Sequence, residues 1–332
     1  MRLRHALLLI LLLLACGIHA GENADSLRRA SFRALEARAA CGDADAMFRL
    51  SRVYEDGYAD IPRDAAKADS LLIRAAETGL PAAQNYLGFK YYNGDGVERD
   101  PHLALRWIQK AADAGDPKSF SNLGWMLISG EGVEQDYTKA AYWLSRAADA
   151  GLPVAMCQLA DLFREGKGVE TDTVKAAGLY EHSASLGFTD AQIRLLDMER
   201  SRYDALTPCD ALAEARRLSA MKVHIPAAYL LRLAADAGNP EAAARYAYAL
   251  SQGTGVNYDH DLSCRYFWKG AAGGDPSAEF IIGELLEIFP DAWKDTPPEI
   301  SLTQEQRLSS YWLQSAAAKG VRNASEAAAR IR

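Results

Sequence analysis

Between Ala82 and Pro117 the chain reads AAQNYLGFKYYNGDGVERDPHLALRWIQKAADAGDP, and its apolar positions follow two helical rhythms separated by a break. Leu87 and Tyr91 lie four apart, on one face of a helix predicted from about Ala82 to Tyr92. The same pair recurs as Leu50/Tyr54, Leu123/Leu127 and Leu159/Phe163. Beside the leucine sits a small residue: Ser51, Gly88, Gly124, Ala160 or, further on, Ala247. Glycine inside a helix costs about 1 kcal/mol relative to alanine, so a slot kept small predicts close approach by a neighbouring helix.

The break is a glycine turn, NGDGV, SGEGV, REGKGV or QGTGV. Its first glycine suits a left-handed helix end, its second a tight reversal, and Val97, Val133, Val169 and Val256 are expected to tuck into the core. A phosphate-binding loop is a poor fit, because the turn follows a helix, lacks a third glycine and recurs. A second helix then starts near Asp64, Asp100, Asp136, Asp172 and Asp259, residues suited to accept from free backbone N–H groups. Trp107, Trp143, Tyr266 and Trp312 share a slot eight residues before a terminal glycine. The terminal glycine followed by Pro81, Pro117, Pro153, Pro240 or Pro276 reads as a helix stop.

The terminal glycines fall at Gly79, Gly115, Gly151 and Gly187, three intervals of 36 residues, and then at Gly238, Gly274 and Gly320, at intervals of 51, 36 and 46. Fixed-period self-similarity is the signature of a repeat array, and the longer steps imply insertions. The pattern A-x-x-x-L-G-x-x-Y-x-x-G-x-G-V-x-x-D-x-x-x-A-x-x-W-x-x-x-A-A-x-x-G resembles the Sel-one-like repeat (SLR), a branch of the tetratricopeptide superfamily. The resemblance implies an all-α fold, an α-solenoid in which antiparallel helix pairs of about 36 residues stack as a right-handed superhelix.

Four repeats occupy 43–190 and another 241–276; 25–42 reads as a capping helix. A degenerate repeat with an insertion fills 191–240, where SRYDALTPCD reads as a loop and ALAEARRLSAMK as an extra helix. Residues 277–332 read as a degenerate repeat with a Pro-rich insertion at 287–303 and a C-terminal capping helix.

Residues 1–20 read as an export signal, with Arg2 and Arg4 before an apolar run, Leu7 to Leu14, too short to span a bilayer. Two cleavage readings stand side by side: after Ala20, or before Cys16, which would then be lipidated and supply a membrane tether. Either predicts an exported protein of the periplasm or cell envelope, with secretion as an alternative. The net charge of −7, without a basic block beyond the leader, argues against nucleic acid. Cys41, Cys157, Cys209 and Cys264 allow three disulfide connectivities in an oxidising compartment, but small buried apolar residues are the favoured reading.

No Ser/His/Asp constellation, metal-ligand spacing or cofactor motif is present, so neither catalytic residue, metal nor cofactor is expected. The run Asp259-His260-Asp261 could suggest a polarised base, yet Asp259 occupies the recurrent helix-cap slot. By similarity to tetratricopeptide helices, the inner face of the array carries Arg52, Glu55, Asn85, Phe89, Tyr92, Trp125, Ile128, Asp161, Arg164, Tyr248 and Ser251. These form a candidate partner-binding groove with an aromatic centre, although Phe89 and Trp125 could instead be buried between units. The resemblance implies a non-catalytic scaffold or adaptor that binds a protein or peptide. A host- or competitor-directed secreted factor is the alternative. A periplasmic hydrolase or β-lactam-binding protein fits less well, because cysteine-rich relatives with such activity carry regularly spaced cysteine pairs that are missing here.

Overall fold

The computed structural model describes residues 31–58 and 61–330; the leader, both cleavage sites and Cys16 lie outside them. Two compact units divide the chain, one of residues up to Leu152 with 167–169, the other of 153–166 and the residues from Glu170 on. Among the described residues, no helix is long and apolar enough to cross a membrane.

The first unit begins with helical residues 31–40 (α1), followed by α2 (Ala44–Asp56), α3 (Ala65–Glu77), α4 (Pro81–Asn93), α5 (Pro101–Asp113), α6 (Pro117–Ser129) and α7 (Tyr137–Asp149). Pairs α2–α3, α4–α5 and α6–α7 pack together, and α3 and α5 also pack on the first helix of the next pair. Leu50, Leu72 and Leu87 are buried in a shared core, against which Phe32 and Leu35 of α1 pack.

The second unit contains α8 (Pro153–Glu165), α9 (Thr173–Ser185), α10 (Thr189–Asp204), α11 (Pro208–Ala220), α12 (His224–Asp236), α13 (Pro240–Gln252), α14 (His260–Ala272), α15 (Pro276–Ile288), α16 (Ser309–Ala318) and α17 (Ala324–Arg330). Its pairs are α8–α9, α11–α12, α13–α14 and α15–α16. Helix α10 packs on α9 and α12, so two helices precede α12 where a regular pair has one.

Local chemistry accounts for the helix limits. Asp64, Asp100, Asp136, Asp172 and Asp259 each accept from the backbone N–H three residues on, at 2.9–3.0 Å. A cap of this kind contributes about 1 kcal/mol. The small slot beside the leucine has the expected cause. A methyl group on Gly88 would lie 2.6 Å from Ile108 Cγ1, and one on Gly124 would lie 2.6 Å from Leu144 Cγ. Each first helix therefore seats directly on the second helix of its own pair.

Several expectations need correction. The helices stop at the terminal glycines as read, and Pro81, Pro117, Pro153, Pro240 and Pro276 in addition each open the next one. A proline suits that first position, where its missing N–H would have no intrahelical partner. SRYDALTPCD is mostly helical, since α10 runs to Asp204 and α11 starts at Pro208, leaving 205–207 as the link. Thr207 caps α11 by accepting from Asp210 N. Val97, Val133, Val169 and Val256 are half-buried rather than tucked into the core.

The favoured reading of the cysteines fits Cys157 alone. Cys41 and Cys209 are exposed, Cys264 is half-buried, and all four thiols are free. Burial pushes the Cys157 thiol up to about 11, which suppresses its reactive thiolate. A thiol reagent at pH 8 should therefore modify Cys41 and Cys209 at least about tenfold faster than Cys157 in the folded, reduced protein. Peptide mapping by mass spectrometry reads this directly. Early labelling of Cys157 would contradict the packing of α8.

Candidate functional site

The residues expected along the inner face separate into two kinds. The charged ones are tied into the frame. In the first unit, Arg52 hydrogen-bonds the hydroxyl of Tyr86 and pairs with Glu55 at 2.9 Å. Tyr86 in turn donates to Glu55 at 2.6 Å, and Lys90 reaches Glu55 at 3.0 Å and Asp69 at 2.6 Å. Lys90 is buried, so these contacts join α4 to both α2 and α3. Burial pushes the Glu55 carboxyl up, but the hydrogen bonds from Tyr86 and Lys90 outweigh it and hold the group below its usual range. Such a buried ion pair orients its helices more than it stabilises them, because desolvation offsets much of the attraction.

Asp161 is engaged in the same way in the second unit. It accepts from the Tyr180 hydroxyl at 2.5 Å and pairs with Arg194 and, at 3.5 Å, Arg164. Those contacts bind α8 to α9 and α10.

The aromatic members behave differently. Phe89 is 45% exposed and Trp125 38%, so neither is buried between units. Tyr92 meets Trp125 edge-on with ring centroids 4.9 Å apart, and its hydroxyl donates to Glu131 at 2.5 Å. Arg99 pairs with Glu131 and lies over the Tyr92 ring. Burial, followed by the Glu131 bond, pushes the Tyr92 phenol up to about 12. Asn85 accepts a 2.8 Å hydrogen bond from Asn122, linking α4 to α6 across one inter-pair step. Ile128 is half-buried. The first unit thus presents a small aromatic surface on α4 and α6, in which polar contacts hold the Tyr92 ring against Trp125.

In the second unit, Tyr248 is 60% exposed, and Ser251 is turned back to its backbone oxygen at 2.8 Å. Tyr248 lines a cleft of about 650 Å³ whose walls come from α11, α12, α13, α14 and α15. Ala227, Ala228, Ala244, Leu231, Phe267 and Ile281 give it an apolar lining. At its rim Glu241 accepts from Arg216, through Nε at 3.1 Å and through Nη2, and from Arg245 Nε at 2.7 Å. Burial pushes the Glu241 carboxyl up, but its two arginine partners outweigh this and keep it low.

The sequence reading found Tyr248 but missed Arg216, Glu241 and Arg245. Stepping back from Tyr248 by three, four and seven residues reaches Arg245, Ala244 and Glu241, one helical face. No such rule reaches Arg216, which belongs to the irregular α11.

His260 opens α14, and its Nε2 lies 3.7 Å from Cys264 Sγ one turn later. The adjacent Asp259 is occupied as the helix cap.

Helix pairs in succession, most of them capped and stopped by the same residue types and interrupted only around α10 and before α16, define a repeat protein of the α-solenoid class. The Sel1 repeat model matches residues 44–80, 81–116, 121–152, 153–188, 225–239, 240–275 and 303–321, and the chain belongs to the Sel1 repeat family. Members of that family commonly act as scaffolds in protein–protein interaction. Among solved structures, a protective antigen of uropathogenic Escherichia coli strains with an SLR fold is 26% identical. That match covers 90% of this chain and 67% of the other, with a TM-score of 0.51. A Sel1 repeat protein from Oxalobacter formigenes is 27% identical over 90% of each chain, with a TM-score of 0.43. No curated protein matches the sequence significantly.

Proposed function

We propose that the chain is a non-catalytic, exported scaffold of the bacterial cell envelope that holds a protein or peptide partner against the first helices of its repeats. The observation that carries this reading is the exposure of Phe89 and Trp125 on a frame whose recurrent leucines are buried. Large aromatic side chains held in place by neighbours bury much apolar area at small conformational cost, which suits them as anchors. The leader supports export, and the protective-antigen description of the Escherichia coli neighbour fits a location outside the cytoplasm.

Crosslinking and pull-down from periplasmic and membrane fractions test the reading. The double variant Phe89→Ala/Trp125→Ala should capture its partner at least about tenfold more weakly, as expected for loss of anchors contributing 1–2 kcal/mol each. Its helical content and unfolding midpoint should stay near those of the parent, because both rings are partly in solvent. Undiminished capture by the folded double variant would overturn the assignment of this face.

A further inference from the structure

We infer that His260 and Cys264, one turn apart at the start of α14, together chelate a zinc ion. The site belongs to the second unit and uses none of the residues of the aromatic face on α4 and α6. It revises the expectation, drawn from sequence, that the chain holds no metal.

Geometry carries the inference. Residues four apart share a helical face, the spacing at which two ligands from one helix reach the same metal. The two side chains are already together, with His260 Nε2 3.7 Å from Cys264 Sγ. Zinc takes a thiolate at about 2.3 Å and an imidazole nitrogen at about 2.0–2.1 Å, so at a tetrahedral angle the two donors stand about 3.6 Å apart. The observed gap matches that bite. His260 is exposed and Cys264 half-buried, so a cation can reach the pair from solvent. Among the described residues no group of three or more His, Cys, Asp or Glu is placed to hold a metal, so water completes the shell and the site stays open.

Neither donor comes with the repeat. The slots of His260 and Cys264 hold Pro101 and Leu105 in α5, Tyr137 and Ala141 in α7, and Thr173 and Ala177 in α9. The first turn of α14 also changes its charge. Lys139 and Lys175 pair with the cap aspartates of α7 and α9, and Leu262 stands in their place here. Asp259 and Asp261 thus flank His260 without the lysine of those helices. Arg265 follows Cys264 but points about 100° further round the helix.

The surroundings suit a cation better than a bare thiolate. Burial pushes the Cys264 thiol up, and the carboxylates of Asp261 and Asp295 push it the same way. A field that disfavours a thiolate favours a divalent cation beside it. On binding, the thiol proton passes to solvent as the Zn–S bond forms, and neutral imidazole supplies the second donor. Sulfur and nitrogen ligands select zinc over calcium or magnesium.

Zinc titration against a chromophoric chelator tests the inference on the reduced full chain carrying Cys41→Ser and Cys209→Ser, which removes the two exposed thiols. One zinc ion per chain should bind, and a hundredfold excess of calcium, about two powers of ten, should not displace it. His260→Gln and Cys264→Ser should each weaken binding at least about tenfold, with helical content unchanged. Cobalt substituted for zinc should show thiolate-to-metal charge-transfer absorption that Cys264→Ser abolishes. Phe89→Ala/Trp125→Ala should leave zinc binding as it is. Absence of zinc uptake, which would leave only an S–H contact to the imidazole, overturns the inference. So would full-strength binding by either folded variant, displacement by calcium, or a cobalt spectrum without the thiolate band.

Discussion

Replacing Gly132 with alanine is expected to destabilise the first unit by about 2–5 kcal/mol, combining left-handed backbone strain of about 1–2 with overpacking of about 1–3. Gly115→Ala should lose only the strain. The two glycines have similar backbone angles, φ +76° and +89°, but different surroundings. A methyl group on Gly132 would come within 2.4 Å of the Pro101 carbonyl oxygen and 2.6 Å of its carbon, whereas one on Gly115 would meet nothing within 4 Å. The obstructing atoms are backbone at the start of α5, which cannot move without shifting the preceding pair. Urea unfolding of both variants isolates the contact as the difference between them, about 1–3 kcal/mol. Equal losses would show that the glycine serves the turn alone. The same close approach recurs at Gly168, where a methyl group would lie 2.2 Å from the carbonyl carbon of Tyr137. Gly132 therefore sets the step from the α4–α5 pair to the α6–α7 pair, and with it the spacing of the helices that present Phe89 and Trp125.

That dual role explains how much could be read in advance. Features that depend on neighbours within a few residues were legible: the aspartate caps, the glycine stops and the four-residue pairs such as Leu87/Tyr91. Each is a local consequence of backbone chemistry and recurs with the repeat. Legibility fell where a residue is used by two elements at once. The prolines after the terminal glycines read only as part of a stop, yet each also begins the next helix.

The site was less legible than the frame, for a related reason. Spacing from the recurrent leucine places Arg52 and Glu55 toward the inner face, but cannot show that Tyr86 and Lys90 occupy their charges. Lys90 in particular lies three residues after Leu87, and nothing in the repeat marks it as buried. The cleft is harder still. Its floor is made of alanines, which read as ordinary helix-packing residues, and its rim joins Arg216 to Glu241 across 25 positions of an irregular segment. An empty space between helices leaves no periodic trace in sequence.

The largest single-residue effect in the second unit is expected at Trp312. It is 1% exposed, meets Trp268 edge-on at 6.1 Å and donates from Nε1 to the Gln306 carbonyl at 2.6 Å. That hydrogen bond folds the irregular stretch before α16 back onto the helix, so one side chain serves the core and closes the insertion. Trp312→Ala should cost about 3–5 kcal/mol, the usual range for emptying a buried aromatic site. Trp312→Phe keeps much of the ring packing and loses the N–H bond; Gln306 is half-buried and water can replace the donor, so about 1–2 kcal/mol is expected. In a repeat array each pair is held by its neighbours, so the alanine variant should unfold first over α15 to α17. Hydrogen exchange should show amide protection falling there while α11 to α13 keep theirs. A uniform loss across the unit would mean that its pairs unfold as one block, and a cost below about 1 kcal/mol would remove Trp312 from its place as the anchor of the last repeat.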